Sequence, residues 1–112
     1  MVNEYQWHSA IGDHRFVAIP TATTEVTFNF ASSLTSSSDS ATEKYFDNLA
    51  KSVIQFDLVA DQDIQLTKLN GTTLTDAIPI DGNKSYGEKE GNYNSVTVKT
   101  TADNTSISMR AR

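Results

Sequence analysis

SVIQFDLVADQDIQLTKL, running from Ser52 to Leu69, is the stretch on which the fold of this chain turns. Ile54, Phe56 and Leu58 alternate with Gln55 and Asp57. Beyond the polar break Ala60-Asp61-Gln62-Asp63, Ile64 and Leu66 alternate with Gln65 and Thr67. Successive side chains on a strand point to opposite faces, so a period of two sorts the apolar set onto one face and the polar set onto the other. The stretch predicts two half-buried strands joined by a short turn.

The same pattern spreads outward in both directions. Thr24 to Ala31 sets Val26, Phe28 and Phe30 against Glu25, Thr27 and Asn29. Before it, Phe16-Val17-Ala18-Ile19 makes a short strand that closes at Pro20, which has no N–H to offer a ladder. Ser32 to Ser40 (SSLTSSSDS) reads as a low-complexity loop. Ser40-Ala41-Thr42-Glu43 then matches a capping box, and Ala41, Tyr45, Leu49 and Val53 recur every fourth residue; this predicts a helix from Ala41 to Ala50. The competing reading is an irregular crossover with Tyr45 and Phe46 tucked under a sheet edge.

Towards the C-terminus, Asn70-Gly71 supplies positive φ cheaply and predicts a tight hairpin turn. Thr73 to Ile80 is a weaker strand interrupted by Pro79. Asp81-Gly82-Asn83 is a turn, and Gly87 to Asn94 reads as a surface loop. Val96 and Val98, then Ile107 and Met109, alternate on either side of Ala102-Asp103-Asn104, which predicts a closing hairpin. About eight short strands separated by turn signals predict an all-β, jelly-roll-like sandwich with one short helix in a crossover. The expected layout is a single sandwich domain over residues 16–112, preceded by an N-terminal arm or edge strand over residues 1–15.

Composition bounds the function. A chain of 112 residues without cysteine is one domain that buries roughly two-thirds of its unfolded surface with no disulfide or zinc-thiolate site. A net charge of −5 argues against broad nucleic-acid binding, which needs an excess of Lys and Arg. Residues 1–10 have neither the basic start nor the apolar run of a secretory signal, and no stretch approaches the ~20 apolar residues of a membrane span.

Few residues gather with the spacing that chemistry requires. His8, Asp13 and His14 are near in sequence, yet a metal site wants three or four converging ligands, and these read as exposed groups around a turn. Asp57, Asp61 and Asp63 resemble the start of a calcium loop, but from Asp61 the sixth and twelfth positions hold Leu66 and Thr72 instead of Gly and Glu. Glu88 and Glu90 sit between glycines, without the fixed apolar surroundings of an acid–base pair. Asn70-Gly71-Thr72 and Asn104-Thr105-Ser106 fit the glycosylation sequon and read better as turns. No G-x-S-x-G, P-loop or G-x-G-x-x-G is present. The expectation is a protein with no catalytic residue, no metal and no cofactor. Two aromatic pairs stand out as binding elements. Tyr5 and Trp7 are either edge-strand core residues or anchors on a protruding arm, and Tyr86 and Tyr93 flank a secondary binding loop suited to a glycan.

The second half of the chain resembles the β-domains of tailed-bacteriophage virion proteins. The resemblance rests on Ile64-Gln65-Leu66 leading into Asn70-Gly71 and on the corner Ile78-Pro79-Ile80-Asp81-Gly82. It also rests on Ser95-Val96-Thr97-Val98-Lys99-Thr100 closing on Thr105-Ser106-Ile107-Ser108-Met109. The Thr-, Asn- and Ser-rich, cysteine-free, acidic chain is similar to head-decoration (cement) and neck or tail accessory proteins. That likeness implies a non-enzymatic virion protein that binds the major capsid protein or another virion protein, forms homo-oligomers, and engages neither nucleic acid nor membrane. A receptor- or glycan-binding module is the alternative.

Overall fold

The computed structural model describes residues 13–31, 34–46, 53 and 55–112. Among these described residues, nine strands and one 3₁₀ turn follow in order. They are β1 (Asp13–Ile19), β2 (Glu25–Asn29), the 3₁₀ turn (Ser36–Ser38), β3 (Glu43–Tyr45), β4 (Phe56–Ala60), β5 (Ile64–Leu69), β6 (Thr72–Ile80), β7 (Tyr86–Glu88), β8 (Ser95–Thr100) and β9 (Thr105–Ala111). The first sheet has the order β1-β9-β4-β7 and the second β3-β2-β8-β5-β6. All neighbours are antiparallel except the parallel pair β2 and β3.

This order is a jelly roll. The chain folds as two-stranded ribbons wound around a common core: β1 and β2 pair with β9 and β8, while β4 and β5 pair with β7 and β6. The ribbons join where β9 meets β4 and β8 meets β5. Winding both layers from one double ribbon buries an apolar face on each sheet and leaves only the outer strands as edges. The expected jelly-roll-like, all-β sandwich is what the chain forms. β3 is an addition, lying beside β2 outside the basic four-plus-four arrangement.

The strand phases follow from the alternation. Val26 and Phe28 of β2, Phe56 and Leu58 of β4, Ile64 and Leu66 of β5, Val96 and Val98 of β8, and Ile107 and Met109 of β9 are all buried in one core. Phe30 and Phe46 meet edge-on, with ring centroids 5.0 Å apart. Phe30 also stacks on Phe56 at 6.2 Å. The Asn70-Gly71 turn has φ of 54° and 77°, the pair of positive angles that a tight hairpin between β5 and β6 demands. Pro79 is accommodated because β6 is an edge strand with one side free of ladder bonds.

Three expectations need correction. The first strand is longer than expected: β1 begins at Asp13, three residues ahead of the predicted Phe16-Val17-Ala18-Ile19 run. The predicted helix is absent over residues 41–46, where β3 runs alongside β2 with Phe46 buried; residues 47–50 lie outside the described residues. The local capping chemistry is nonetheless there. Ser40 Oγ accepts hydrogen bonds from the N–H groups of Thr42 and Glu43 at 3.3 and 3.1 Å, but as a turn leading into a strand. Tertiary pairing has overridden a short-range helix signal: Phe46 is buried as the crossover reading expected, but Tyr45 lies in a short paired strand rather than in an irregular segment. Last, β8 and β9 do not form a hairpin. The turn at Ala102-Asp103-Asn104 carries the chain from the second sheet to the first.

Candidate functional site

Two surfaces and one terminus carry the residues singled out from sequence. The first surface is an aromatic corner. β7 pairs with β4 so that Tyr86 stands opposite Leu58 and Glu88 opposite Phe56, both on the inward side of the sheet. Tyr93 reaches the same place through an antiparallel bridge to Val53, with backbone bonds of 2.8 and 2.9 Å in both directions. The two tyrosines, seven positions apart in sequence, thus converge on one ring. Phe56 lies 5.0 Å from Tyr93, edge to face, and 6.4 Å from Tyr86.

The Tyr86 hydroxyl donates a hydrogen bond to the Glu88 carboxylate. Burial, that bond and the carboxylate charge push the Tyr86 phenol up to about 12. Burial and the Glu88 charge raise Tyr93 as well. Both phenols stay protonated donors at neutral pH. Gly91 fits beneath Tyr93 so closely that an added Cβ would overlap the ring. Each ring is therefore half-buried and committed to packing, which is a poor arrangement for a flat sugar-stacking platform. Glu88 is also no longer a loop residue without apolar neighbours; it lies in β7 beside Tyr86.

The second surface is the outward face of the first sheet. Register brings Phe16, Ser108 and Val59 into one cross-strand row, with His14, Arg110 and Asp57 in the next. Arg110 Nη2 lies 3.4 Å from Asp57 Oδ2. Phe16 is 56% exposed and Val59 37%; with Leu34 they are the large apolar side chains left open among the described residues. Two of those three face each other across a serine. Beside Val59 the face sinks into an open depression of about 460 Å³ lined by His14, Val59, Ser108 and Arg110. Sequence reading missed this face because Phe16 and Val59 sit in strands whose other members are core. Only the register of β9 between β1 and β4 shows that they meet.

The remaining candidates scatter. Tyr5, Trp7 and His8 lie outside the described residues. Asp57 is in the ion pair on the outward face, remote from the turn at Asp61 and Asp63. Those two carboxylates fasten loops: Asp61 Oδ1 accepts from the Ser106 N–H at 2.8 Å, and Asp63 Oδ1 from the Gly82 N–H at 2.8 Å. Asp103 Oδ1 does likewise for the Ala22 N–H at 2.9 Å. Among the described residues no group of three or more His, Asp or Glu side chains converges as metal ligands would. Asn70 is occupied too, its amide donating to the Asn92 carbonyl at 3.0 Å and accepting from the Asn94 N–H at 2.7 Å.

No family model matches the chain, and no curated protein matches it in sequence. Among solved structures it is similar to a de novo designed double-stranded β-helix. The TM-score is 0.51 at 8% identity, over 89% of this chain and 99% of that one. That likeness shows the fold alone, and it agrees with the ribbon winding described above. A second structure, of Bacillus endospore appendages described as a novel family of disulfide-linked pili, overlaps with a TM-score of 0.42 and 13% identity. It covers 89% of this chain and 85% of that one. So loose an overlap carries nothing further.

Proposed function

We propose that this chain is a non-enzymatic virion structural protein, a capsid auxiliary (decoration or cement) protein that strengthens the outer shell through protein–protein contacts. The observation that carries the reading is the outward face of the first sheet. Phe16 and Val59 stand open there, while among the described residues the other large apolar side chains, Leu34 apart, pack in or against the core. An apolar surface rimmed by Arg110, Asp57 and His14 suits a protein partner, since interfaces combine an apolar centre with a polar rim. Tyr5 and Trp7 would add anchors from the N-terminal segment, because Trp and Tyr contribute disproportionately to binding energy. The partner in this reading is the major capsid protein or another virion protein.

The test is association with particles. Wild-type protein should co-purify with intact virions in stoichiometric amounts. A variant lacking residues 1–9 should keep its Tm and bind particles at least tenfold more weakly. Normal particle binding by the shortened chain would place the contact on the sandwich alone. Absence of the wild-type protein from purified particles would sink the virion reading itself. A glycan-binding role is less well supported, because Tyr86 and Tyr93 spend their rings on Phe56 and Gly91.

A further inference from the structure

We infer that the outer edge of β1 is a self-association site, where β1 of a second copy of this chain pairs antiparallel about a two-fold axis through Val17. In that register Phe16 of each copy lies opposite Ala18 of the other. The inference goes beyond the reading above and stands apart from it, since it concerns how two copies join rather than what they bind.

The outer strands of the two sheets are not alike. An exposed strand edge is a template for another chain, and proteins blunt such edges with short strands, proline, bulges or charge. β3 and β7 have three residues each. β6 carries Pro79, and a register break leaves Leu74 to Ala77 outside its ladder with β5. β1 lacks these devices over its second half. Its seven residues pair with β9 without a shift, and Phe16-Val17-Ala18-Ile19 holds neither charge nor proline. Arg15, the charge just before that run, is paired with Asp39. Among the described residues no strand lies beyond β1.

The direction of the backbone groups fixes the register. Gln55 and Arg112 exchange N–H···O bonds of 3.1 Å in both directions. Alternation then turns the even-numbered residues of β9 towards β4 and the odd-numbered ones towards β1. Val17 and Ile19 therefore spend their backbone groups on Ile107 and Thr105, whereas Phe16 and Ala18 aim theirs away from the sheet. The side chains of Phe16 and Ala18 are exposed as well. Two copies related by an axis through Val17 satisfy those groups with each other, Phe16 to Ala18 and Ala18 to Phe16. Pro20, with no N–H, ends the shared ladder.

Shape selects the same register. Residues directly opposite in an antiparallel pair share a face, so each Phe16 ring lies over the small side chain of the other copy's Ala18. There the surface has an open depression of about 190 Å³ lined by Ala18, Ile19, Pro20, Asn104 and Ser106. A projecting ring and a hollow two positions apart on one strand are what a two-fold contact needs, since each copy offers both. A register centred on Phe16 would set the two rings against each other and leave the hollow empty. With the axis perpendicular to the sheet, the outward faces of both copies lie side by side as one surface.

Sedimentation of full-length proteins tests this. The wild type should show concentration-dependent dimers. Ala18→Pro removes the outward N–H and crowds the edge while sparing the bonds to β9, and it should dimerise at least ~10-fold more weakly at a native Tm. Ala18→Lys, which fills the hollow with a charged chain, takes its place should the proline variant lose its native Tm. Thr75→Lys, on the β6 edge, should leave dimerisation unchanged. Because the chain has no cysteine, Val17→Cys supplies a clean probe of the register. At the axis Val17 meets its own copy in a pair without mutual hydrogen bonds, where side chains come closest, so mild oxidation should yield a disulfide-linked dimer. A wild type that is monomeric at every concentration would overturn the inference. So would natively folded Ala18 variants that dimerise like the wild type, loss of the dimer in Thr75→Lys, or a Val17→Cys dimer that does not cross-link. A monomeric wild type that still co-purifies with particles would sink the pairing and leave the virion reading standing.

Discussion

Tyr86 shows how one residue ties packing to pH. Its phenol titrates near 12, against an ordinary value of 10.0, because burial and the neighbouring Glu88 carboxylate both disfavour the phenolate. A folded value above the unfolded one means that the stabilisation is complete below pH 10 and is lost as pH climbs through 12. Thermal melts should therefore show the wild-type Tm falling across that window. Tyr86→Phe should flatten the fall, leaving the smaller share due to Tyr93. An identical slope in both proteins would remove Tyr86 as the cause. Deeper in the core, Phe28, Phe56 and Leu66 are at most 1% exposed. Truncating any of them to Ala should cost about 2–5 kcal/mol in denaturant unfolding, through lost burial and the cavity left behind.

Among the elements, β3 is held by side-chain chemistry as much as by its short ladder. Asp39, just after the 3₁₀ turn, pairs with Arg15 of β1 and accepts the Tyr45 N–H at 2.8 Å. One carboxylate thus bridges the edge of the first sheet to the added strand of the second. Asp39→Ala should leave the global Tm within a few degrees while amide exchange at Tyr45 speeds up at least tenfold; unchanged protection would show that β2 alone secures β3. The strands themselves were legible from sequence because alternation reports which face is buried, and Phe28, Phe56 and Leu66 fall where that pattern puts them. What alternation cannot report is which sheet a strand joins. Val96–Val98 and Ile107–Met109 look like the arms of a hairpin, yet their short turn changes layers. The false helix at Ala41 has a similar origin, since Ser40 makes the expected local bonds in either conformation. The candidate face was hidden for the same reason: Phe16, Ser108 and Val59 are far apart in the chain, and only sheet register unites them.

At the scale of the whole molecule, the domain is sewn together from its two ends. β1 pairs with β9 from Asp13 opposite Ala111 to Ile19 opposite Thr105. Folding must close nearly the entire chain before that ladder forms, so refolding should be slow, on the order of milliseconds to seconds. The same pairing has a mechanical side. Antiparallel strands whose outer ends lie together present those ends to a load at one corner. Tension applied between Asp13 and Ala111 would peel β1 from β9 one pair at a time, as a zipper opens. Tension between Asp13 and the turn at Asn70-Gly71 would instead act across several strands at once. Single-molecule pulling should therefore find a lower rupture force for the first pair of handles than for the second.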